Sequence, residues 1–412
     1  MSLSRRQLCR WLAGSALTAG VESSSKAATQ LIAAPPQAPS GSHIGNLYPF
    51  AQKQADRSTL ELSFLRPEFR DLTKWQKQAR AKVFEHLFYE PAAVSPQPQV
   101  IRRTDKGDYI EEYLTFQTTP DLRVPAYVLV PKRVKLPAPG IVVLHDHGGF
   151  YLWGKEKVVE LEAEPPALSE FKQQAYGGKS IAVELARRGF VVITIDMFYW
   201  GERRMILDDD PASYQEPAKM TREEISTFNR RSQQSEQLVA RTLFAAGITW
   251  PGVILWDDLR TVDYFRTRPE VDAKRIGCVG LSVGGYRSFV LAALDERIQA
   301  AVNVGWMTSL ASQIKRHAVN SIGLTFHIIG LYRYMDFPDL AALIAPRAVM
   351  VMNGAQDRLF APEGVRAAFE KIARCFAKAG VSERQRCRLF DLPHVFNQEM
   401  QAEAWEWIQA RV

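Results

Sequence analysis

The chain has 412 residues, of which 46% are hydrophobic and 24% charged, with a formal net charge of +7. Such a chain suits one large globular domain or two smaller ones, and the composition excludes a collagen-like, low-complexity or disulfide-framework protein. The basic residues are scattered instead of gathered into runs and no nucleic-acid-binding motif occurs, so the excess charge reads as a solvated surface and no nucleic-acid partner is expected.

In chain order, the first feature is Ser4-Arg5-Arg6, followed by Leu8, Arg10 and a short, mildly apolar stretch from Trp11 to Val21. Residues 1–30 resemble a twin-arginine export signal, which implies a periplasmic or secreted bacterial protein. The apolar stretch is too short for a stable membrane anchor, and Cys9 precedes it, out of place for lipid attachment. Residues 31–57 are rich in Ser, Ala, Pro and Gln and are expected to form a flexible linker. One folded domain is expected over 58–412. Its first part, 58–135, reads as a helix with Leu72, Trp75, Ala79, Val83 and Phe84, with Leu87 and Phe88, at helical spacing, then an antiparallel hairpin from "YIEEYLTFQTT" and "RVPAYVLVPK".

From residue 141 the pattern changes. "GIVVL" is a continuous apolar run, as expected of a strand buried on both faces, "FVVITI" is another, and "RIGCVGL", "IQAAVNV", "AVMVMNG" and "RCRLFDL" read as further strands. Helical segments such as "SIAVELARRG", "ILWDDLRTVDYF" and "PEGVRAAFEKIARCFAKAG" separate them, and "QEMQAEAWEWIQARV" closes the chain. This alternation predicts an α/β fold with a doubly wound, mostly parallel sheet. Two stretches, 197–252 and 306–342, break the alternation in connections that follow strands. They read as loop or cap insertions covering a site.

In such a sheet, ligand groups gather beyond the carboxyl ends of the strands. His145-Asp146-His147-Gly148-Gly149 follow the first core strand and Asp196 the second. Ser282 follows the third within Gly280-Leu281-Ser282-Val283-Gly284, a G-x-S-x-G string that predicts a sharp strand-to-helix turn. Asp357 and His394 follow the last two strands. Ser, then Asp, then His is the chain order of an α/β-hydrolase triad.

Together "LHDHGG", "DYFRTRPEVDAKRIGCVGLSVGG", "NGAQDRLFAPEG" and "LPHVFNQEM" resemble the α/β-hydrolase superfamily, in its dienelactone-hydrolase-like and acetyl-xylan-esterase-like branch. The resemblance covers the chain from about residue 100 onward and implies an exported serine esterase needing no cofactor, acting on a small-molecule or glycan ester and favouring short acyl groups. A serine hydroxyl needs a base, for which His394 is the candidate, and Asp357 would orient the imidazole. The developing oxyanion needs two backbone N–H donors, expected from Val283 and from Gly148 or Gly149. His147, Arg203 in the "WGERR" loop, and Trp306 are candidate substrate contacts; Trp153, Trp200, Trp250 and Trp306 could together stack on a sugar.

Alternatives stand beside these assignments. His145 and His147 have a usable metal-ligand spacing, yet no third ligand is placed, and no metal is expected. Asp391, Asp336 and Asp339 are rivals to Asp357, while His317 and His327 read as packing residues. A dienelactone-type lactone hydrolase is the nearest enzymatic rival, although its relatives often carry cysteine where Ser282 stands. A prolyl-oligopeptidase-type peptidase lacks room for its propeller, and a hydrolase-fold binding protein with a dead site would usually have lost a triad member. The sequence leaves open the oligomeric state and whether Cys375 and Cys387 pair.

Overall fold

The computed structural model describes residues 39–412. The twin-arginine-like segment and the first part of the expected linker lie outside them. The rest of that linker differs from expectation: after a single turn at Gly45–Leu47, a helix α1 runs over Tyr48–Asp56. None of its residues is buried, which is why composition alone gave no apolar period to read. Just beyond it, Ser58 Oγ donates to the Tyr332 carbonyl at 2.8 Å.

Helix α2 (Leu72–Leu87) starts where the Asp71 side chain accepts the Lys74 N–H at 3.0 Å. It buries Trp75, Ala79, Val83 and Leu87 of the expected stripe, with Leu72 half-buried; Phe84 and Phe88, each one position off that stripe, are exposed instead. Nine strands follow: β1 (Gln99–Asp105), β2 (Tyr109–Gln117), β3 (Arg123–Pro131), β4 (Ala138–Leu144), β5 (Val191–Ile195), β6 (Val271–Leu281), β7 (Ile298–Val304), β8 (Ala348–Gly354) and β9 (Gln385–Phe390). They form one sheet in the order β1-β2-β3-β5-β4-β6-β7-β8-β9. The predicted hairpin is β2–β3, and β1 to β3 join the sheet antiparallel while β4 to β9 run parallel. Strand β1 was not expected. It is an exposed edge strand with no buried face, so it carries no alternation.

The remaining helices of more than one turn are α3 (Pro166–Tyr176), α4 (Ile181–Arg187), α5 (Arg222–Ala245), α6 (Trp250–Phe265), α7 (Val283–Leu294), α8 (Pro362–Lys378) and α9 (Gln398–Gln409). Helices cover both faces of the sheet. Ile276 and Cys278 of β6 point into one apolar layer with α6, α7 and α8; Val279 and Leu281 point into the other with α4 and α9. That two-sided burial explains the unbroken apolar runs. The 197–252 insertion carries α5, started by a capping box in which Thr221 and Glu224 bond reciprocally. The 306–342 insertion is a series of single turns. Among the described residues, no single helix is long and apolar enough to cross a membrane.

Candidate active site

The turn after β6 is tight. Ser282 has φ 58° and ψ −124°, a left-handed conformation that a non-glycine residue adopts only under constraint. Its N–H donates to the Val304 carbonyl at 2.7 Å, pinning the turn to β7. The flanking glycines are steric requirements. A Cβ on Gly284 would lie 2.0 Å from the Leu144 carbonyl oxygen, and one on Gly280 would lie 2.4 Å from the same atom. Only hydrogen fits there. The strand end, the turn and the start of α7 are thereby pressed together, with Ser282 exposed to a cavity of about 480 Å³.

His394 lines the same cavity. Its Nδ1 bonds Asp357 Oδ2 at 2.6 Å, leaving Nε2 as the nitrogen available to a reacting group. Asp357 is fixed in turn, its Oδ1 accepting the Leu359 N–H at 2.9 Å. Gly305 packs against the imidazole, where a Cβ would lie 3.2 Å from His394 Cε1. The rival carboxylates are engaged elsewhere. Asp391 is exposed and bonds Gln356 Nε2 at 3.0 Å; Asp336 accepts from Ser309 and the Leu310 N–H; Asp339 takes Ser63 and Lys371.

Beyond β4, buried groups hold the loop. Tyr176 donates to Asp146 Oδ1 at 2.6 Å, and Lys157 Nζ donates to the carbonyls of Asp146 and His147. His145 is fully buried, with Nδ1 donating to the Asp146 carbonyl and Nε2 accepting the Met197 N–H. Burial, aided by Lys157, holds its pKa well below the ordinary range, so it is a neutral packing residue with no lone pair left for a metal. His147 is different: it lines the cavity, its Nδ1 accepts the Gly149 N–H at 3.0 Å, and Nε2 donates to Glu236 at 2.7 Å. Gly149's N–H is therefore occupied. That of Gly148 has no partner among the described residues, and Val283 opens α7, where first-turn N–H groups lack intrahelical acceptors.

Two expectations need correction. Arg203 does not line the cavity; its guanidinium is inside the protein, donating to Asp257 at 2.7 Å and to the Asp196 carbonyl. It braces the loop because two buried acceptors wait for it. Of the four tryptophans, Trp200 and Trp250 are fully buried and pack with Tyr199, and Trp153 packs on Phe150; Trp306 alone of these reaches the cavity wall. Cys375 and Cys387 are free thiols, both pushed up by burial. The carboxylates of Glu156, Asp196 and Glu202 converge as metal ligands would, but Lys155 Nζ sits among them at 2.6, 2.8 and 2.5 Å. An ammonium already supplies the cation.

Sequence reasoning missed the residues that the insertions bring to the cavity: Gln233 and Glu236 from α5, and Thr325 and Phe326 from the second insertion. The capping box at Thr221 was a legible start signal for α5, but nothing in the sequence aimed Glu236 at His147.

This geometry has relatives. A model of the Abhydrolase family matches residues 57–386. The chain belongs to that family. It is 24% identical over 308 residues to the Bacillus subtilis protein named "Putative hydrolase YtaP", covering 74% of this chain and 89% of that one. Among solved structures, a "putative acetyl xylan esterase" of Bacteroides fragilis superposes with a TM-score of 0.64 at 19% identity, over 83% of this chain and 82% of the other. A glucuronoyl esterase of Solibacter usitatus gives a TM-score of 0.56 at 15% identity, over 83% and 94%. At these identities the likeness is one of fold.

Proposed function

We propose that this hydrolase is a serine esterase in which Ser282, His394 and Asp357 form the catalytic triad. The observation that carries the reading is the strained Ser282 turn opening on the same cavity as a histidine whose far nitrogen is bonded to a buried carboxylate. His394 Nε2 takes the serine proton as Oγ attacks the ester carbonyl, and Asp357 stabilises the imidazolium that forms. The N–H groups of Val283 and Gly148 receive the oxyanion; Gly149 instead holds His147 in place. The alcohol leaves with the proton from His394, and water attacks the acyl-enzyme by the reverse route. No step calls for a cofactor.

The substrate is proposed to be a short-acyl ester of a carbohydrate. An aromatic wall containing Trp306 and Phe326, with ring centroids 5.5 Å apart, supports this, as do the esterase names of the structural neighbours. The test uses p-nitrophenyl acetate, butyrate and octanoate with wild type and Ser282→Ala. Turnover that favours acetate and falls by about 10³-fold or more in the variant is expected. Equal turnover by both proteins would reject Ser282 as nucleophile. Export is proposed from the Arg5-Arg6 pair; lysine at both positions should leave the protein in the cytoplasmic fraction, and unchanged export would discard that assignment.

A further inference from the structure

Part of the cavity wall comes from the insertions, and its polar groups have no task in the triad chemistry. Glu236 Oε1 accepts two hydrogen bonds, from His147 Nε2 and from Tyr151 Oη, each 2.7 Å long. Its Oε2 has no hydrogen-bond partner among the described residues. Because Gly149 donates to His147 Nδ1, the His147 proton sits on Nε2 and the ring is neutral. Burial, reinforced by Glu236, pushes the Tyr151 phenol up, so it stays a neutral donor. Neither partner of the carboxylate carries a compensating charge.

No other group on the wall supplies one. Among the described residues, neither lysine nor arginine lines the cavity. Of the nearby cations, Lys157 is engaged by the loop carbonyls and Asp146 and Arg231 of α5 by Asp210, while Arg358 is exposed and lines the adjoining cavity, which shares only Leu359, Phe360 and His394 with this one. Thr325, 1% exposed, lines the cavity, and its buried hydroxyl has no hydrogen-bond partner among the described residues. A buried unpaired hydroxyl costs free energy unless a ligand satisfies it. Gln233, one turn before Glu236 and exposed, adds an amide at the rim.

We infer that the cavity receives a neutral, hydroxyl-bearing sugar unit of the ester, and that Glu236 excludes uronic acids from it. The inference rests on the esterase reading above. Glu236 Oε2 and Thr325 Oγ1 hydrogen-bond sugar hydroxyls, while Trp306 and Phe326 pack against the ring. A substrate carboxylate seated there meets a partly desolvated like charge with no cation on the same wall to offset it, which is selection by repulsion.

The experiment measures acetate release from an acetylated methyl xyloside and an acetylated methyl glucuronoside with a free carboxylate. Wild type is expected to favour the neutral ester in kcat/KM by about tenfold or more. Glu236→Gln keeps an acceptor for His147 and Tyr151 but loses the charge, and should shrink that ratio by about fivefold or more. Thr325→Val, nearly isosteric, should raise KM for the xyloside relative to KM for p-nitrophenyl acetate by about threefold or more, a result that stands even if the Glu236 variant fails to fold. Equal turnover of both sugars by wild type, or a ratio unmoved in folded Glu236→Gln, overturns the inference. Inert sugars alongside Ser282-dependent turnover of p-nitrophenyl acetate would overturn the sugar assignment and leave the esterase standing. Absence of turnover on every ester would overturn both.

Discussion

The turn helix α7 and the insertion helix α5 face the same cavity and are built in opposite ways. All twelve residues of α7 are buried, whereas the 24-residue α5 buries only Ile225, Phe228, Ser232 and Ala240. The first is clamped between β4 and β7 and further fixed by Arg287, which pairs with Asp258 entirely inside the protein. The second lies on the surface, held by one narrow stripe and a capping box. The difference separates two demands. Attack on a carbonyl needs a nucleophile and oxyanion donors that do not drift, and the groups proposed for those roles at Ser282 and Val283 sit in strained, closely packed backbone. Substrate choice can be carried by a helix that is easily altered without disturbing the sheet.

The largest expected effect comes from breaking the constrained side. Gly284→Ala drives a methyl into the Leu144 carbonyl and separates the serine turn from the oxyanion loop. It should cost about 3 kcal/mol in denaturant unfolding and lower kcat sharply, because overpacking against backbone cannot relax cheaply. A stable, fully active variant would mean that the close approach is dispensable.

Arg287→Leu breaks the same side and should cost at least as much in stability. It strands Asp258, whose pKa burial already raises against the pull of Arg287, and should cost on the order of 3–5 kcal/mol. The double change with Asp258→Leu should recover much of that loss. A single variant as stable as wild type would show that the pair does not hold α7.

On the insertion side, Thr221→Ala removes a cap and should cost about 1 kcal/mol. The loss should be local: faster amide exchange over 222–245 with little change at β6 and α7. Exchange quickening equally in the sheet would erase the proposed contrast between the two helices.

This contrast also explains what could be read from the chain. Strands β4 to β8 show as apolar runs because two helical layers bury them, and Gly280-x-Ser282-x-Gly284 shows because close backbone contact leaves no room for side chains. Asp357 could be picked out because it follows such a run, and His394 because it follows the last strand, whose alternation marks a sheet edge. The sequence was silent where tertiary partners decide the role. Arg203 has the same pattern whether it meets substrate or Asp257, and the helix at Tyr48–Asp56 has no buried stripe to reveal it. Gly148 and Gly149 are adjacent, and only the His147 side chain, itself held by Glu236, distinguishes the free N–H from the engaged one.

The most direct test of the central claim is covalent capture. A fluorophosphonate should add a single phosphonyl group to the peptide containing Ser282, with the modified residue located by fragmentation mass spectrometry. Labelling should stop esterase turnover, disappear in Ser282→Ala and slow by about 10³-fold in His394→Ala, since the serine would then lack its base. A phosphonyl group on a different residue, or inactivation that proceeds equally in Ser282→Ala, would contradict the claim.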